Sequence, residues 1–140
     1  MRDLASGTIG AELYSDTDAI YTNEAVPQNT NKTTSTFFFG RTLHGLELVV
    51  NVGSTAIALA ENDILTIAYA QAEDDDFTSA TYETLYTKTF GSSETIAIGT
   101  ELVRYVANTK DGAYFRLRVT TDDTAAAGTI NAMIASVKKN

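Results

Sequence analysis

The residues with the most evident capacity for chemistry lie in "AQAEDDDFTSATYET", where four carboxylates, Glu73 through Asp76, run directly into Phe77. Calcium loops take oxygen ligands from alternate positions and turn on a glycine. Here the carboxylates are consecutive, no glycine follows, and neighbouring charges repel, so the stretch reads as a solvated loop tip with Phe77 as its anchor. Asp122 and Asp123 in "TTDDTAAAG" have the same loop character. The single histidine, His44, stands between Gly40 and Gly45. No Ser–His–Asp order or metal-ligand spacing surrounds it, which assigns it a structural or surface role. Two carboxylates can serve glycoside hydrolysis, but nothing in the sequence selects a pair. Gly91, Gly99, Gly112 and Gly128 fall between strand-like runs, and none precedes the helix start that a phosphate-cradling loop needs. The sequence therefore points to a protein that is not an enzyme, with no catalytic, cofactor-binding or metal residue assigned and no cofactor expected.

Composition narrows the classes further. A chain of 140 residues with 44% hydrophobic and 20% charged residues suits one soluble globular domain with a real core. It has no cysteine, hence no disulfide framework, thiolate metal site or cysteine nucleophile. The net charge is -8, and the ten basic residues are scattered, with only Lys138 and Lys139 adjacent. Nucleic-acid binding needs a clustered basic face, so no nucleic-acid partner is expected. No apolar run approaches membrane-spanning length and no basic-then-apolar start is present, so neither a membrane span nor a signal peptide is expected. "NKT" at Asn31 matches a glycosylation sequon without a secretory signal to support it.

The elements that must position any site are strands. "TSTFFFG", "LELVVNV", "ILTIAYAQ", "YETLYTKTF", "ETIAIG", "ELVRYVA", "YFRLRVTT" and "GTINAMIASV" are β-branched and aromatic, and "AIYTNEAV" adds a further candidate. That is about eight or nine strands at the spacing of an all-β sandwich or barrel. Alternation puts Phe115, Leu117 and Val119 on one face of their strand and Arg116, Arg118 and Thr120 on the other. Leu65, Ile67 and Tyr69 likewise share a face, opposite Thr66 and Ala68. Consecutive strands usually neighbour each other, so the last strand is expected to close a hairpin with Tyr114–Thr121. The seven tyrosines are spread over most of the strands, as packing residues or as a sugar- or protein-binding face. The polar segment from Thr22 to Thr36 holds the lone proline and little apolar surface. It reads as a long loop or an arm ordered on contact. Residues 1–36 thus form an arm and first-strand region, and residues 37–140 the sandwich, in a single domain.

Residues 46–140 resemble the capsid cement (decoration) proteins of tailed bacteriophages, of the Bordetella-phage type. "ILTIAYAQAEDDDFTSATYETLYT" looks like that family's core strand, acidic turn, Phe anchor and returning strand. "SSETIAIGTELVRYVANTKDGAYFRLRVTT" looks like its next pair, and "DDTAAAGTINAMIASV" like its small-residue loop and final strand. The resemblance implies a jelly-roll-like antiparallel sandwich, to which the polar N-terminal region adds an extended arm or loop. It also implies a place on the exterior of the virion, after synthesis in the host cytoplasm, where the protein holds major capsid protein subunits together. The protein would be a homo-oligomer, dimer or trimer, with the major capsid protein as partner. The candidate contact residues are Thr22, Asn23, Asn29, Asn31, Thr33, Phe37, Phe38 and Phe39. Two other classes fit the residues: a carbohydrate-binding jelly-roll module of a phage tail or secreted enzyme, and a small hydrolase with a carboxylate pair.

Overall fold

The structure, a computed structural model, describes residues 14–34, 37–38, 46–72, 76–78, 80–107 and 114–137. Among them every regular element is a strand: β1 (Tyr14–Ala25), β2 (Thr30–Thr33), β3 (Phe37–Phe38), β4 (Leu46–Val52), β5 (Ile57–Ala58), β6 (Ile64–Ala72), β7 (Glu83–Thr89), β8 (Thr95–Ile96), β9 (Glu101–Ala107), β10 (Tyr114–Thr121) and β11 (Thr129–Val137). One sheet runs β1-β11-β4-β9 and a second runs β2-β10-β6-β7, with β3 also paired to β10. All of these pairings are antiparallel. Setting the short β3, β5 and β8 aside, only β6 and β7 are sequence neighbours within one sheet. Every other connection crosses to the opposite sheet. That is the jelly-roll arrangement, an all-β sandwich of two interlocked Greek keys.

Side-chain alternation explains why two sheets form. The burial of β10 alternates strictly, with Phe115, Leu117, Val119 and Thr121 inward. Leu65, Ile67 and Tyr69 join them from β6. Leu48, Val50, Val52, Val103, Ile130, Ala132 and Ile134 face them from the first sheet. Each such large aliphatic or aromatic side chain contributes about 1.5–3 kcal/mol on leaving water.

Two expectations need correction. Residues 114–121 and the last strand do not form a hairpin. Both edges of β10 are occupied, by β6 on one side and by β2 and β3 on the other, so β11 crosses to the first sheet between β1 and β4. Nor is the described part of the Thr22–Thr36 segment, residues 22–34, a free arm or loop: Thr22–Ala25 belongs to β1 and Thr30–Thr33 to β2. Backbone pairing orders this segment in place of apolar area. The Thr34 N–H donates to the Leu117 carbonyl at 2.9 Å, and the Leu117 N–H donates to Thr34 Oγ1 at 3.0 Å. The Thr121 hydroxyl donates to the Pro27 carbonyl at 2.6 Å. Strand β1 slips register against β11 at three places.

The crossovers at one end are knitted together. Asp123 is buried, 6% exposed, and its carboxylate accepts N–H bonds from Ala60 and Ala125 at 2.8 Å each. Its carbonyl accepts from Asn29 at 2.9 Å. Asp122 accepts from the Ile64 N–H at 2.6 Å. These aspartates are therefore connectors, and Asp123 is not the solvated loop residue that its sequence context suggests. Gly128 completes the crossover at φ +122°, where a Cβ would lie 2.6 Å from Ile57 Cα. Left-handed backbone and close approach both require glycine there.

Replacing Asp123 with Ala strands two backbone donors, so Asp123→Ala is expected to lower unfolding free energy by about 3 kcal/mol. Urea denaturation followed by tyrosine fluorescence measures this, and an unchanged midpoint would refute the connector role.

Candidate functional site

The described residues among the eight predicted to touch a partner are divided between the two sheets and the turn between β1 and β2. Thr22 and Asn23 lie in β1, while Asn31 and Thr33 lie in β2 of the opposite sheet; all four are exposed. Asn23 takes a left-handed φ of 48°, and its backbone N–H donates to Asn131 Oδ1 at 2.7 Å. Its side-chain Oδ1 accepts from the Ser54 N–H at 2.9 Å, so Asn23 serves the fold. Asn29, also left-handed, belongs to the turn between β1 and β2 and is tied to Asp123. Phe37 and Phe38 pair in register with Phe115 and Tyr114. Phe39, His44 and Glu73–Asp75 lie outside the described residues. Of the acidic run, Asp76 caps its own turn, accepting from the Thr78 hydroxyl and from the Thr78 N–H at 2.9 Å, and these bonds hold its carboxyl below the usual range. Phe77 is buried, with the Arg116 guanidinium 4.5 Å above its ring. Among the described residues, no group of three or more His, Cys, Asp or Glu side chains is placed to hold a metal ion.

Two sheet faces remain as candidate sites. On the outer face of the first sheet, Val49 stands opposite Met133 on one side and Arg104 on the other, while Glu47 stands opposite Val106. Met133, on the inner strand β11, is 39% exposed, and Val106, on the edge strand β9, is 55% exposed. Arg104 bonds Glu101 at 2.8 Å and Glu47 at 3.3 Å, so the charges there offset one another. Sequence reading passes over this patch, although a signal exists. In "LVVNV" the alternation that buries Leu48, Val50 and Val52 forces Val49 outward.

The outer face of the second sheet carries Arg116 and Arg118 on β10, opposite Ala70 and Ala68 of β6. The segment between β6 and β7 supplies two rings to this face. Phe77 meets Arg116, and the Tyr82 ring lies 3.6 Å from Arg118 Cζ. No sequence pattern announces these contacts, because each joins residues more than thirty apart in the chain.

Between the sheets sits a tyrosine cluster. The Tyr69 and Tyr105 hydroxyls are 3.4 Å apart, and the Tyr69 ring stacks on Phe115 at 5.6 Å. Burial first, then the Tyr105 hydrogen bond, raises the Tyr69 hydroxyl above its ordinary range. Tyr21 is also buried, and its hydroxyl has no hydrogen-bond partner. Burial, with a smaller push from Glu24, raises it to about 12.

No protein-family model matches the chain, and no curated protein does either. Among solved structures the chain is similar to the infectious bursal disease virus VP2 subviral particle, with TM-score 0.47 and 9% identity over 87% of this chain. It is also similar to the structure of the Gx strain of infectious bursal disease virus, with TM-score 0.44 and 13% identity over 89%. The chain covers 32% of the length of each of those chains.

Tyr21 has a higher pKa folded than its ordinary 10.0, so the fold favours its neutral form. The associated stability is intact below pH 10 and is lost as pH rises from 10 toward 12. Across that interval the native chain is expected to lose about 2–3 kcal/mol more than Tyr21→Phe. At pH 7 the variant is expected to match or exceed native stability, since it removes a buried hydroxyl without a partner. Denaturant melts at pH 7, 10 and 12 measure both effects; parallel losses in the two proteins would refute the assignment.

Proposed function

We propose that the chain is a non-enzymatic virion protein, a decoration protein of a tailed-phage head that docks on the outer surface and bridges major capsid protein subunits. The observation that carries this reading is the outer face of the first sheet. Val49, Val106 and Met133 form an apolar centre, flanked by two carboxylates and a guanidinium that pair with one another. On a chain of net charge -8, such a nearly neutral, apolar-centred area is suited to meet another protein. Asn51 lies two residues from Val49, and its Oδ1 is shielded from water without a donor. The jelly-roll strand order agrees with the phage cement resemblance of residues 46–140, and fold alone does not decide function.

The mechanism is multivalent. Each copy needs about 1,000 Å² or more of contact to dock stably. A homo-oligomer spanning two capsomers turns modest contacts into avidity. Thr22 of β1 remains exposed and extends the candidate contact surface, whereas Asn31 and Thr33 lie in the opposite sheet and Asn23 and Asn29 are committed to the fold.

Co-sedimentation with expanded phage heads lacking the protein tests the reading. Saturable binding at a fixed ratio to coat protein is expected, together with heads more resistant to heat. Met133→Asp and Val106→Asp place a charge in the apolar centre and are expected to weaken binding at least tenfold with unchanged circular dichroism. Absence of binding to expanded and unexpanded heads alike would sink the proposal.

A further inference from the structure

We propose that the outer face of the second sheet, around Arg118 and Tyr82, binds a saccharide that carries a carboxylate. The proposal goes beyond capsid docking, since it concerns the sheet on the other side of the sandwich, and both faces can be occupied at once. Four described cations outside this site have assigned roles or partners nearby: Lys32 meets Glu24, Lys88 meets Glu94, Arg104 meets Glu47 and Glu101, and Arg116 caps Phe77. Among the described residues, Arg118 meets no carboxylate. Its Nε is buried with no hydrogen-bond partner, and the side chain as a whole stays partly exposed.

The Tyr82 ring, 3.6 Å from Cζ, holds the guanidinium in a stacked position. Stacking occupies the face of the group and leaves its two terminal Nη groups to meet the two oxygens of a carboxylate. Register surrounds it with small hydroxyl and amide groups. Thr33 stands opposite Arg118, and Thr84 lies beyond Ala68 in the same row. Asn31 and Thr120 pair in the next row. Hydroxyls and amides around one fixed cation and one aromatic ring match a sugar acid, whose ring hydroxyls need donors and acceptors and whose carboxylate needs the guanidinium. The net charge of -8 repels anions in general, so any anion held here is held by local geometry.

The test is nitrogen-15 NMR titration of the full chain at pH 7 with glucuronate, galacturonate and N-acetylneuraminate, each beside a neutral sugar of matching size. Saturable shifts in the millimolar range are expected for at least one acid, confined to β2, β6, β7, β10 and Tyr82, with none for its neutral counterpart. Arg118→Gln is expected to weaken that binding at least tenfold while its spectrum keeps native dispersion. Tyr82→Phe, which keeps the stack, is expected to retain binding and guards against a folding defect in the first variant. No saturable shift with any of the three acids, equal shifts with neutral sugars, or undiminished binding by Arg118→Gln would each overturn the proposal. None of these outcomes bears on head binding, so the two readings fail separately.

Discussion

A jelly roll depends on its crossovers, because nearly every strand must leave the sheet it has just joined. In this protein the constraint falls on one buried carboxylate. Asp123 holds the turn after β1, the loop before β6 and the start of its own loop, through bonds of 2.8–2.9 Å. These loops have little apolar area of their own, so their backbone donors must find acceptors. One aspartate supplies several and thereby sets where β2, β6 and β11 begin. With those starting points set, alternation alone carries the inward residues into one core and leaves two outer faces of different chemistry.

The two faces differ for a reason visible in the register. In the first sheet, consecutive apolar residues such as Val49 and Val50 push surplus aliphatic surface outward, and Arg104 offsets part of the charge of its two flanking glutamates. In the second sheet the outward residues of β6 are threonine and alanine, which leaves room for the long arginines of β10 to lie down beneath Phe77 and Tyr82. Both arginine stems are thereby partly withdrawn from water while the charge stays near the surface. Ala68 and Ala70 are buried on that outer face, 6% and 2% exposed, which the cover of arginines and rings explains.

How much of this was legible in the sequence depends on the range of the interaction. The strict alternation of Tyr114–Thr121 and of Ile64–Tyr69 transmits the face assignment residue by residue, and the all-β class follows from it. The polar stretch from Thr22 to Thr34 misleads because its order comes from backbone pairing with β10 and β11, which composition does not register. Asp123 misleads in the opposite sense, since a carboxylate in a small-residue loop looks the same whether it faces water or the Ala60 N–H. The candidate site was less legible still. Asn31 and Thr33 are exposed as their polarity suggests, but Asn23 is tied down, and the Arg118–Tyr82 contact exists only once β6 and β10 are paired.

The register slips of β1 carry a consequence for behaviour at high concentration. A straight outermost strand offers an unpaired row of N–H and C=O groups on which another chain can polymerise. Here the outermost strand of the first sheet is broken at three points along its length, so successive backbone groups do not line up as a template. Fibre growth through that margin is disfavoured by geometry, and crowded copies are steered toward contacts between broad surfaces, which can close into finite assemblies instead of open-ended ones.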